Sequence, residues 1–476
     1  MIVCPVDRVG GEVRVPGDKS VSHRALLLSA LAMGPTRVSG LGLGGDVRST
    51  RRVLEGLGVQ FETLPDGDVV VRGRGFQGLA APTAPLDCGN SGTTLRVMMG
   101  VLAGRPFQST LVGDASLSRR PMERVAAPLR TMGARITTTA GCAPVHIAGI
   151  SGAVGDTPLS AIDFASPVAS AQVKTAVLLA GLQAHGRTTV TEPALSRDHT
   201  ERMLAGMGAH IACGHAAVLG SKAWGLAKGA PEPSAASRLS LEGRMRSPGA
   251  HDDAAEASVS IEASPLTALG RFVVPGDLSS AAFWLAAGLL VDGPGLAVVG
   301  ALVNPSRTGF LDIVAAMGGN IVREDSPGGV EPTATLTARR SPLRAITVGG
   351  DLVLRAIDEV PILAVLATQA EGTTVIRDAG ELRVKESDRL AVMAQTLRTL
   401  GARIRELPDG LEIDGPTPLH GGSVHAELDH RIAMSAAIAA LTATSSVSIH
   451  GADAAAVSYP AFWRELARLA PGSVDA

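Results

Sequence analysis

The sequence predicts an α/β fold built from six repeated units, on the strength of two observations. A helix-ending pattern, Leu or Val-x-x-Met/Leu followed by Gly, recurs five times, and a β-like run comes after each copy. Apolar segments rich in Leu and Ala also recur, each too long for an ordinary strand, and most are followed by a Gly or polar turn and a β-rich run. The glycines that end the five helices are Gly58, Gly133, Gly208, Gly318 and Gly401.

The spacing of these glycines defines the repeat. The first three lie 75 residues apart, and the next two steps are 110 and 83 residues. Such a recurring spacing indicates one supersecondary unit copied around the fold. The long step localises an insertion at residues 223–265, which is rich in Pro, Ser and charge and which we expect to be a surface loop. The units divide into three plus three, with a boundary near Arg271–Gly276.

Each unit is predicted to hold a buried helix, a strand, a second helix and another strand. Gly186–Thr191 is an example of the β-rich run that follows a buried helix. The six predicted buried helices are Arg24–Ala32, Thr93–Leu102, Val173–Gly181, Ser279–Leu290, Val360–Gln369 and Ile432–Thr442.

Composition excludes several classes of protein. A net charge of -2 and 3% aromatic residues argue against nucleic-acid binding, which needs a broad basic face and often stacking rings. The four scattered cysteines and eleven histidines have no metal-ligand spacing, and they suggest neither disulfides nor a metal site. Met1–Val15 is too polar for a signal peptide, and no apolar run is long enough for a membrane span. We therefore expect a cytoplasmic protein without membrane or nucleic-acid partners.

The start of the first buried helix carries the first sign of a binding site. Lys19, His23 and Arg24 crowd its N-terminal turn, which Asp18 or Ser20 can cap. The positive end of the helix dipole disfavours cations by a few tenths to about 1 kcal/mol each. An anion bound at this N-terminus would relieve the conflict, although a solvated basic helix end is the alternative.

Other buried helices begin in a similar way, with cations or carboxylates beside small capping residues. Capping alone explains Asp277 and Asp429. It does not explain Arg96 or Arg431, which also lie at or near helix starts.

Two segments near the second helices add more cations. Arg119 and Arg120 precede Pro121, which is expected to begin a helix. Lys385 and Arg389 are four residues apart on one predicted helix face, a spacing that needs counter-charge. Either the neighbouring Glu386 and Asp388 or an anionic ligand could supply it, and guanidinium groups bind carboxylate and phosphate in a bidentate fork. Several converging cations would suit a substrate with more than one anionic group.

Acid–base candidates are few. Asp358 and Glu386 lie among the cations, and a carboxylate beside a substrate hydroxyl can accept its proton. Lys19 could act as an acid or bind anions. No nucleophile motif is present. The Gly-rich segment 40–45 fits G-x-G-x-x-G, but a lone match is weak, and we interpret it as a strand-to-helix turn.

Taken together, seven segments resemble the 5-enolpyruvylshikimate-3-phosphate synthase family of enolpyruvyl transferases. They span nearly the whole chain in the family's order, and their combination is highly specific. They are P-G-D-K-S-V-S-H-R-A at 16–25, G-N-S-G-T-T-L-R at 89–96, S-L-S-R-R-P-M at 116–122, S-A-Q-V-K-T-A at 170–176, D-E-V-P at 358–361, R-V-K-E-S-D-R-L at 383–390 and D-H-R-I-A-M at 429–434.

The resemblance implies a two-domain inverse α/β barrel of six βαβαββ repeats, three per domain, with the active site in the interdomain cleft. It implies that the chain crosses between domains twice. One domain would comprise residues 1–17 and 272–476, and the other residues 18–271 with the insertion.

The implied reaction transfers the enolpyruvyl group of phosphoenolpyruvate to the 5-hydroxyl of shikimate 3-phosphate by addition and elimination, without metal or cofactor, in a protein that is usually monomeric. By their place in the motifs, Asp358 resembles the base for the 5-hydroxyl, and Glu386, with or without Lys19, resembles the group that protonates the methylene carbon. The implied shikimate 3-phosphate contacts are Lys19, Ser20, Arg24, Ser170, Ala171, Gln172, Arg197, Asp358 and Lys385. The implied phosphoenolpyruvate contacts are Lys19, Asn90, Gly92, Arg120, Gln172, Arg389 and Arg431.

The chain departs from many members of the family at several positions, some of which resemble a glyphosate-tolerant branch. Ala171 stands in place of Ser and Val457 in place of Lys, and Glu381-Leu382 replaces Asn-Trp. Two alternatives differ in function. A UDP-N-acetylglucosamine enolpyruvyl transferase would carry a Cys in the segment Gly113–Arg120, which has none. A non-catalytic anion-binding repeat protein would have lost cleft charges that this chain keeps.

Overall fold

The protein is described here from a computed structural model that covers residues 1–42, 44–150, 159–214 and 257–474. Thirteen α-helices lie within these residues. They are α1 (Lys19–Leu31), α2 (Gly45–Gly56), α3 (Gly92–Leu102), α4 (Glu123–Thr131), α5 (Ala171–Gly181), α6 (His199–Gly206), α7 (Leu278–Leu290), α8 (Gly309–Ala316), α9 (Asp351–Arg355), α10 (Val360–Thr368), α11 (Arg389–Thr399), α12 (His430–Ala440) and α13 (Phe462–Leu469).

The same residues form twenty-five strands in seven sheets. The strands are β1 (Ile2–Val3), β2 (Gly10–Val13), β3 (Met33–Ser39), β4 (Gln60–Thr63), β5 (Val69–Arg74), β6 (Leu86–Asp87), β7 (Ser109–Val112), β8 (Arg135–Thr139), β9 (Cys142–Ala148), β10 (Leu159–Ser160), β11 (Asp163–Ala165), β12 (Ala184–His185), β13 (Arg187–Glu192), β14 (Ile211–Cys213), β15 (Ala257–Glu262), β16 (Arg271–Val273), β17 (Gly295–Leu302), β18 (Asn320–Asp325), β19 (Thr333–Arg339), β20 (Thr347–Val348), β21 (Gly372–Ile376), β22 (Arg403–Leu407), β23 (Gly410–Gly415), β24 (Gly422–His425) and β25 (Val447–His450).

Five four-stranded sheets share one topology, which confirms the repeat. In the sheet β6-β7-β9-β8, β6 and β7 run parallel around α3, and β8 and β9 form an antiparallel hairpin after α4. The sheets β11-β13-β15-β14, β16-β3-β5-β4, β20-β21-β23-β22 and β2-β17-β19-β18 repeat this order. A sixth sheet, β1-β25-β24, keeps the parallel pair and takes β1 as its antiparallel strand. The unit is therefore βαβαββ, a fuller version of the unit predicted from the glycine spacing.

Two of the sheets exchange their first strands. β2, from the start of the chain, pairs with β17, whereas β16, from the middle of the chain, pairs with β3. The chain consequently passes twice between the two halves of the molecule, at Pro16–Asp18 and at Pro275–Asp277.

These two crossing segments have the same sequence, Pro-Gly-Asp, and pair with each other. The Asp18 amide donates to the Pro275 carbonyl at 2.7 Å, and the Asp277 amide donates to the Pro16 carbonyl at 2.8 Å. A side chain at Gly17 could not fit, because its Cβ would lie 1.9 Å from the Gly40 carbonyl oxygen. Glycine is therefore required by close packing at this crossing.

Two hydrophobic cores organise the fold. One draws on residues 3–15 and 278–470, and the other on residues 21–274 together with Leu302. We call the half built on the core of residues 3–15 and 278–470 the C-terminal half, and the half built on the core of residues 21–274 the N-terminal half. The six buried helices belong to these cores, and α7 is buried along almost its whole length. This depth explains why their sequences lack a polar face.

Helix ends follow the predicted chemistry. Each of the five repeat glycines has a positive φ between 82° and 100°, the left-handed conformation expected just after a helix. The predicted caps also form, since the side chains of Asp18, Asp277 and Asp429 accept backbone N–H groups of α1, α7 and α12.

Three local predictions were wrong. The loop predicted for residues 223–265 contains β15 at its end, which pairs between β13 and β14 with alternate residues buried; its charged neighbours in sequence hid that alternation. Residues 223–256 lie outside the described part of the chain. Pro121 does not begin a helix, because α4 starts at Glu123. Lys385 and Arg389 do not share a helix face, because Asp388 caps α11 and leaves Lys385 before it.

In the described ranges, no helix is both long and apolar enough to cross a membrane. The four cysteines are free thiols.

Candidate active site

Polar contacts link the starts of the six buried helices in two groups, α1 with α7, α10 and α12, and α3 with α5. Arg197 donates to Asp358, just before α10, and to the Ser20 hydroxyl at the start of α1. Gln172 of α5 donates to Thr93 of α3 at 3.0 Å, and the Lys19 amide donates to the Asp277 carboxylate before α7 at 3.3 Å. Helix N-termini favour anions, so a site assembled from them is suited to anionic ligands.

The C-terminal half contributes a compact charged cluster centred on Arg389, which is buried. Its guanidinium contacts Asp429 at 2.8 Å and Glu386 at 2.7 Å, and it lies 3.6 Å from the Asp358 carboxylate. Arg431 donates to the Asp358 backbone carbonyl at 2.8 Å. Three carboxylates and two guanidinium groups thus surround one corner of the site.

Asp358 is the carboxylate most enclosed by cations. Its side chain pairs with Arg197 at 2.8 Å and lies 3.9 Å from Arg307. Burial alone would raise the pKa of Asp358, but Arg431, Lys385, Arg197 and Arg307 together hold it well below its usual range. Asp358 is therefore ionised at neutral pH in the free protein.

Glu386 and His430 are tuned by the same cluster. Burial would raise the pKa of Glu386, but the Arg389 guanidinium holds it below its usual value. Burial, with Arg431 and Arg389, lowers the pKa of His430 to about 4. His430 is consequently neutral at pH 7, whereas Glu386 carries a negative charge.

The N-terminal half contributes a second group, positioned by α3 and the turn before α4. Arg120 donates to the Asn90 side-chain oxygen at 2.7 Å, and Asn90 donates to Asp114 at 2.7 Å. Arg96 donates to the Gln172 side-chain oxygen at 2.8 Å. A Cβ at Gly92 would meet the Arg96 guanidinium at 3.0 Å, so glycine leaves room beside these two arginines.

Two cations at the site have partners of their own. Lys19 pairs with Asp46, from the first turn of α2, and half of its side chain is exposed. Lys385 donates to Glu381 at 2.7 Å. The Glu381 carboxylate compensates the charge of Lys385.

Most of the predicted site residues lie in one of two groups of contacts, and Arg24 lies apart from the surface of the site. Arg24 is buried beneath the site, where its guanidinium donates to the Ser20 carbonyl and to the hydroxyls of Thr175 and Thr200. Ser170 caps α5, so Ala171 and Gln172 form the first turn of that helix. Among the described residues, no hydrogen bond or ion pair joins Arg120 or Gln172 to Arg389 or Arg431. The two groups of cations belong to opposite halves of the molecule.

Four residues that lie at or beside this site were not predicted from the sequence. Asp46 and Arg307 contact predicted residues but lie outside the recognised motifs. His430 lies inside one of them, at the first residue of α12, and that position was the available signal. The fourth is Glu192, whose position at the end of a strand gave no indication of a role. In the part of the chain that the structure describes, no three His, Cys, Asp or Glu residues are grouped as metal ligands.

Comparison with known proteins places this site in a family. A model of EPSP synthase (3-phosphoshikimate 1-carboxyvinyltransferase) matches residues 3–224 and 232–466. The chain belongs to the EPSP synthase family. The match includes both crossing segments and both groups of cations, so the whole site falls within the family's sequence.

Full-length relatives agree with this assignment. A protein of Synechococcus sp. strain RCC307 named 3-phosphoshikimate 1-carboxyvinyltransferase is 49% identical over 465 residues, which cover 96% of each chain. A protein of the same name from Gloeothece citriformis is 46% identical, covering 96% of this chain and 93% of the relative. The solved EPSP synthase of Acinetobacter baumannii superposes with a TM-score of 0.82 at 37% identity, covering 98% of both chains. The family's fold and the fold described above are therefore the same.

Proposed function

We propose that the protein transfers the enolpyruvyl group of phosphoenolpyruvate to the 5-hydroxyl of shikimate 3-phosphate. The observation that carries the proposal is the ionised Asp358 enclosed by cations, in a chain that matches the EPSP synthase family along its length. A carboxylate can accept a hydroxyl proton, and the surrounding cations can hold the phosphate and carboxylate groups that both substrates carry. The proposal places the protein in aromatic amino-acid biosynthesis.

Shikimate 3-phosphate would bind chiefly to the N-terminal half. Arg197 contacts both Ser20 and Asp358, and Glu192 links Ser170 to Ser196, the residue before Arg197. A substrate anion would replace Asp358 as the partner of the Arg197 guanidinium. Lys19, Arg24, Ala171, Gln172 and Lys385 complete the proposed set, with Arg24 supporting it from below.

Phosphoenolpyruvate would bind between the two groups of cations. Arg120, with Asn90 and Gly92, belongs to one half of the molecule, whereas Arg389 and Arg431 belong to the other. A small trianion that contacts both groups would draw the halves together. Lys19 and Gln172 complete this set.

The reaction proceeds by addition and elimination. Asp358 takes the proton of the 5-hydroxyl as its oxygen bonds to C2 of phosphoenolpyruvate, and the methylene carbon C3 gains a proton to become a methyl group. In the second step C3 loses a proton, the double bond reforms and the C2–O bond to phosphate breaks. The products are the enolpyruvyl ether and inorganic phosphate.

The proton donor for C3 is either Glu386 or Lys19. Glu386 is ionised in the free protein because Arg389 lowers its pKa. A substrate carboxylate bound to Arg389 would compensate that cation and raise the pKa of Glu386, which would allow the side chain to carry the proton. Lys19 remains the alternative, held near the site by Asp46.

The test is acceptor-dependent phosphate release from phosphoenolpyruvate. We expect release with shikimate 3-phosphate and none with UDP-N-acetylglucosamine. Release with the nucleotide sugar would move the chain to the sister activity, and binding of phosphate esters without turnover would favour a non-catalytic protein.

We further propose a reduced sensitivity to glyphosate. Val457 contributes no cation at its position, and Glu381 compensates Lys385 at 2.7 Å. Inhibition measured against phosphoenolpyruvate tests this, and competitive binding as tight as that of the substrate would contradict it.

We also propose that the two halves act as two domains, residues 1–17 with 272–476 and residues 18–271, which close on the substrates. The separate cores and the paired crossing segments support this division. A monomer in the cytoplasm is the expected working form, and its free thiols suit a reducing compartment.

A further inference from the structure

A buried group of charges lies beneath the proposed shikimate 3-phosphate site. Lys174 of α5 is 2% exposed and pairs at 2.8 Å with both Glu192, at the end of β13, and Glu201 of α6. Both carboxylates are as buried as the lysine. Charged groups are seldom buried this deeply unless they are paired, so the position of each is strongly constrained.

Glu192 makes two further contacts that Glu201 does not make. One carboxylate oxygen accepts the backbone N–H of Ser170 at 2.7 Å, and the other accepts the hydroxyl of Ser196 at 2.7 Å. Ser170 is the cap of α5, and Ser196 directly precedes Arg197. A single carboxylate therefore ties together two segments that come from different parts of the chain.

Both tied segments are proposed to bind the same substrate. Ser170 and Arg197 are in the shikimate 3-phosphate set, whereas the phosphoenolpyruvate set contains neither. Lys174 also donates to the Ser196 carbonyl at 3.3 Å, which holds the Arg197 segment from a second direction. The distance between the two segments depends on Glu192 and its lysine.

We propose that Glu192 is a positioning residue that sets the spacing of Ser170 and Arg197 and thereby the affinity for shikimate 3-phosphate. It belongs to neither proposed set of substrate contacts, and the inference rests on the proposed function of the site. Binding groups held by a rigid surrounding shell lose affinity when that shell loosens, even though they are themselves unchanged.

The test compares Glu192→Gln with Glu201→Gln. Each variant removes one of the two carboxylates on Lys174 at equal burial, but only the first alters the contacts to Ser170 and Ser196. For Glu192→Gln we expect KM for shikimate 3-phosphate to rise about tenfold, with KM for phosphoenolpyruvate little changed. For Glu201→Gln we expect both KM values to stay near those of the wild type. The melting temperatures of the two variants should fall by similar amounts.

Equal effects of the two variants on KM would overturn the proposal, as would a rise of the two Michaelis constants in parallel. If Glu192→Gln fails to fold, Ser196→Ala removes one arm of the tie alone. A selective rise in KM for shikimate 3-phosphate in that variant supports the proposal, and an unchanged KM overturns it. Turnover by the wild type distinguishes failure of the proposed function from failure of the positioning role. An inactive wild type refutes the proposed function. An active wild type, with an unchanged KM for shikimate 3-phosphate in Glu192→Gln, refutes only the positioning role.

Discussion

At the scale of single residues, we expect two arginines in the same half of the molecule, Arg197 and Arg120, to bind different substrates. Arg197→Ala should raise KM for shikimate 3-phosphate, because its guanidinium lies against Ser20 and Asp358. Arg120→Ala should instead raise KM for phosphoenolpyruvate. We expect each KM to rise about tenfold to a hundredfold, because each variant loses hydrogen bonds made by a charged group. Steady-state kinetics with each substrate varied in turn measures the contrast, and the same pattern of KM changes in both variants would contradict it.

The charge of Asp358 gives a prediction on pH. Because its pKa in the folded protein is depressed, the carboxylate stabilises the fold above the unfolded-state pKa of about 4, and this contribution is lost only as pH falls through the lower folded value. The melting temperature of Asp358→Asn should therefore be below that of the wild type by a constant amount from neutral pH to about pH 5. The difference should shrink only at more acidic pH.

Thermal unfolding of both proteins across pH provides the measurement. Buried His23 and His430, with pKa values lowered to about 3 and about 4, destabilise both proteins as acid protonates the unfolded chain, so the comparison largely subtracts their effect. A difference that already disappears between pH 7 and pH 5 would show that the pKa of Asp358 is not depressed.

At the scale of secondary structure, the cap of α11 positions a site residue. Asp388 accepts the Ala391 amide at 3.1 Å and the guanidinium of Arg383 at 2.9 Å, and α11 then begins with Arg389. Asp388→Ala should lower the free energy of unfolding by about 1 kcal/mol, the usual cost of losing an N-cap. Asp388→Asn retains a capping oxygen and should lose less. Urea denaturation distinguishes the two, and equal losses would mean that the ion pair with Arg383, rather than the cap, provides the stability.

The same helix shows where local sequence reasoning fails. The spacing of Lys385 and Arg389 fits one helix face, but a capping Asp388 between them ends that possibility. From the sequence alone, an Asp at this position could be either an N-cap or an exposed residue inside a helix. Only the tertiary context distinguishes the two. The buried helices were predictable because the length of a continuous apolar segment can be read from the local sequence.

At the scale of the whole molecule, the two crossing segments make the halves depend on each other. Gly17→Ala should destabilise the protein by about 1–3 kcal/mol or more, since its new Cβ would clash with a backbone carbonyl that cannot move aside cheaply. Gly422→Ala is a matched control, because its Cβ would meet nothing nearer than 3.5 Å. Thermal unfolding of both variants measures the effect. A Gly17→Ala protein as stable as the control would show that the crossing is loosely packed.

Long-range organisation was the part of the fold that sequence patterns alone could not supply. The exchange of β2 and β16 between sheets leaves no local mark, so it was expected only through the family resemblance. The burial of Arg24, the pairing of Lys19 with Asp46 and the tie made by Glu192 likewise depend on residues that are distant in sequence. The motifs indicated which cations to expect at one site, because clustered like charges need a common counter-ion. They did not indicate which carboxylates contact those cations.

We propose that Asp358 accepts the proton of the 5-hydroxyl of shikimate 3-phosphate as phosphoenolpyruvate is consumed. Phosphate release by the wild type and by Asp358→Ala tests it most directly, with binding of shikimate 3-phosphate measured in both. We predict that release requires both substrates and falls by about 10²–10⁴-fold in the variant. Release without shikimate 3-phosphate, or an undiminished rate in a folded Asp358→Ala protein, would show that Asp358 does not have this role.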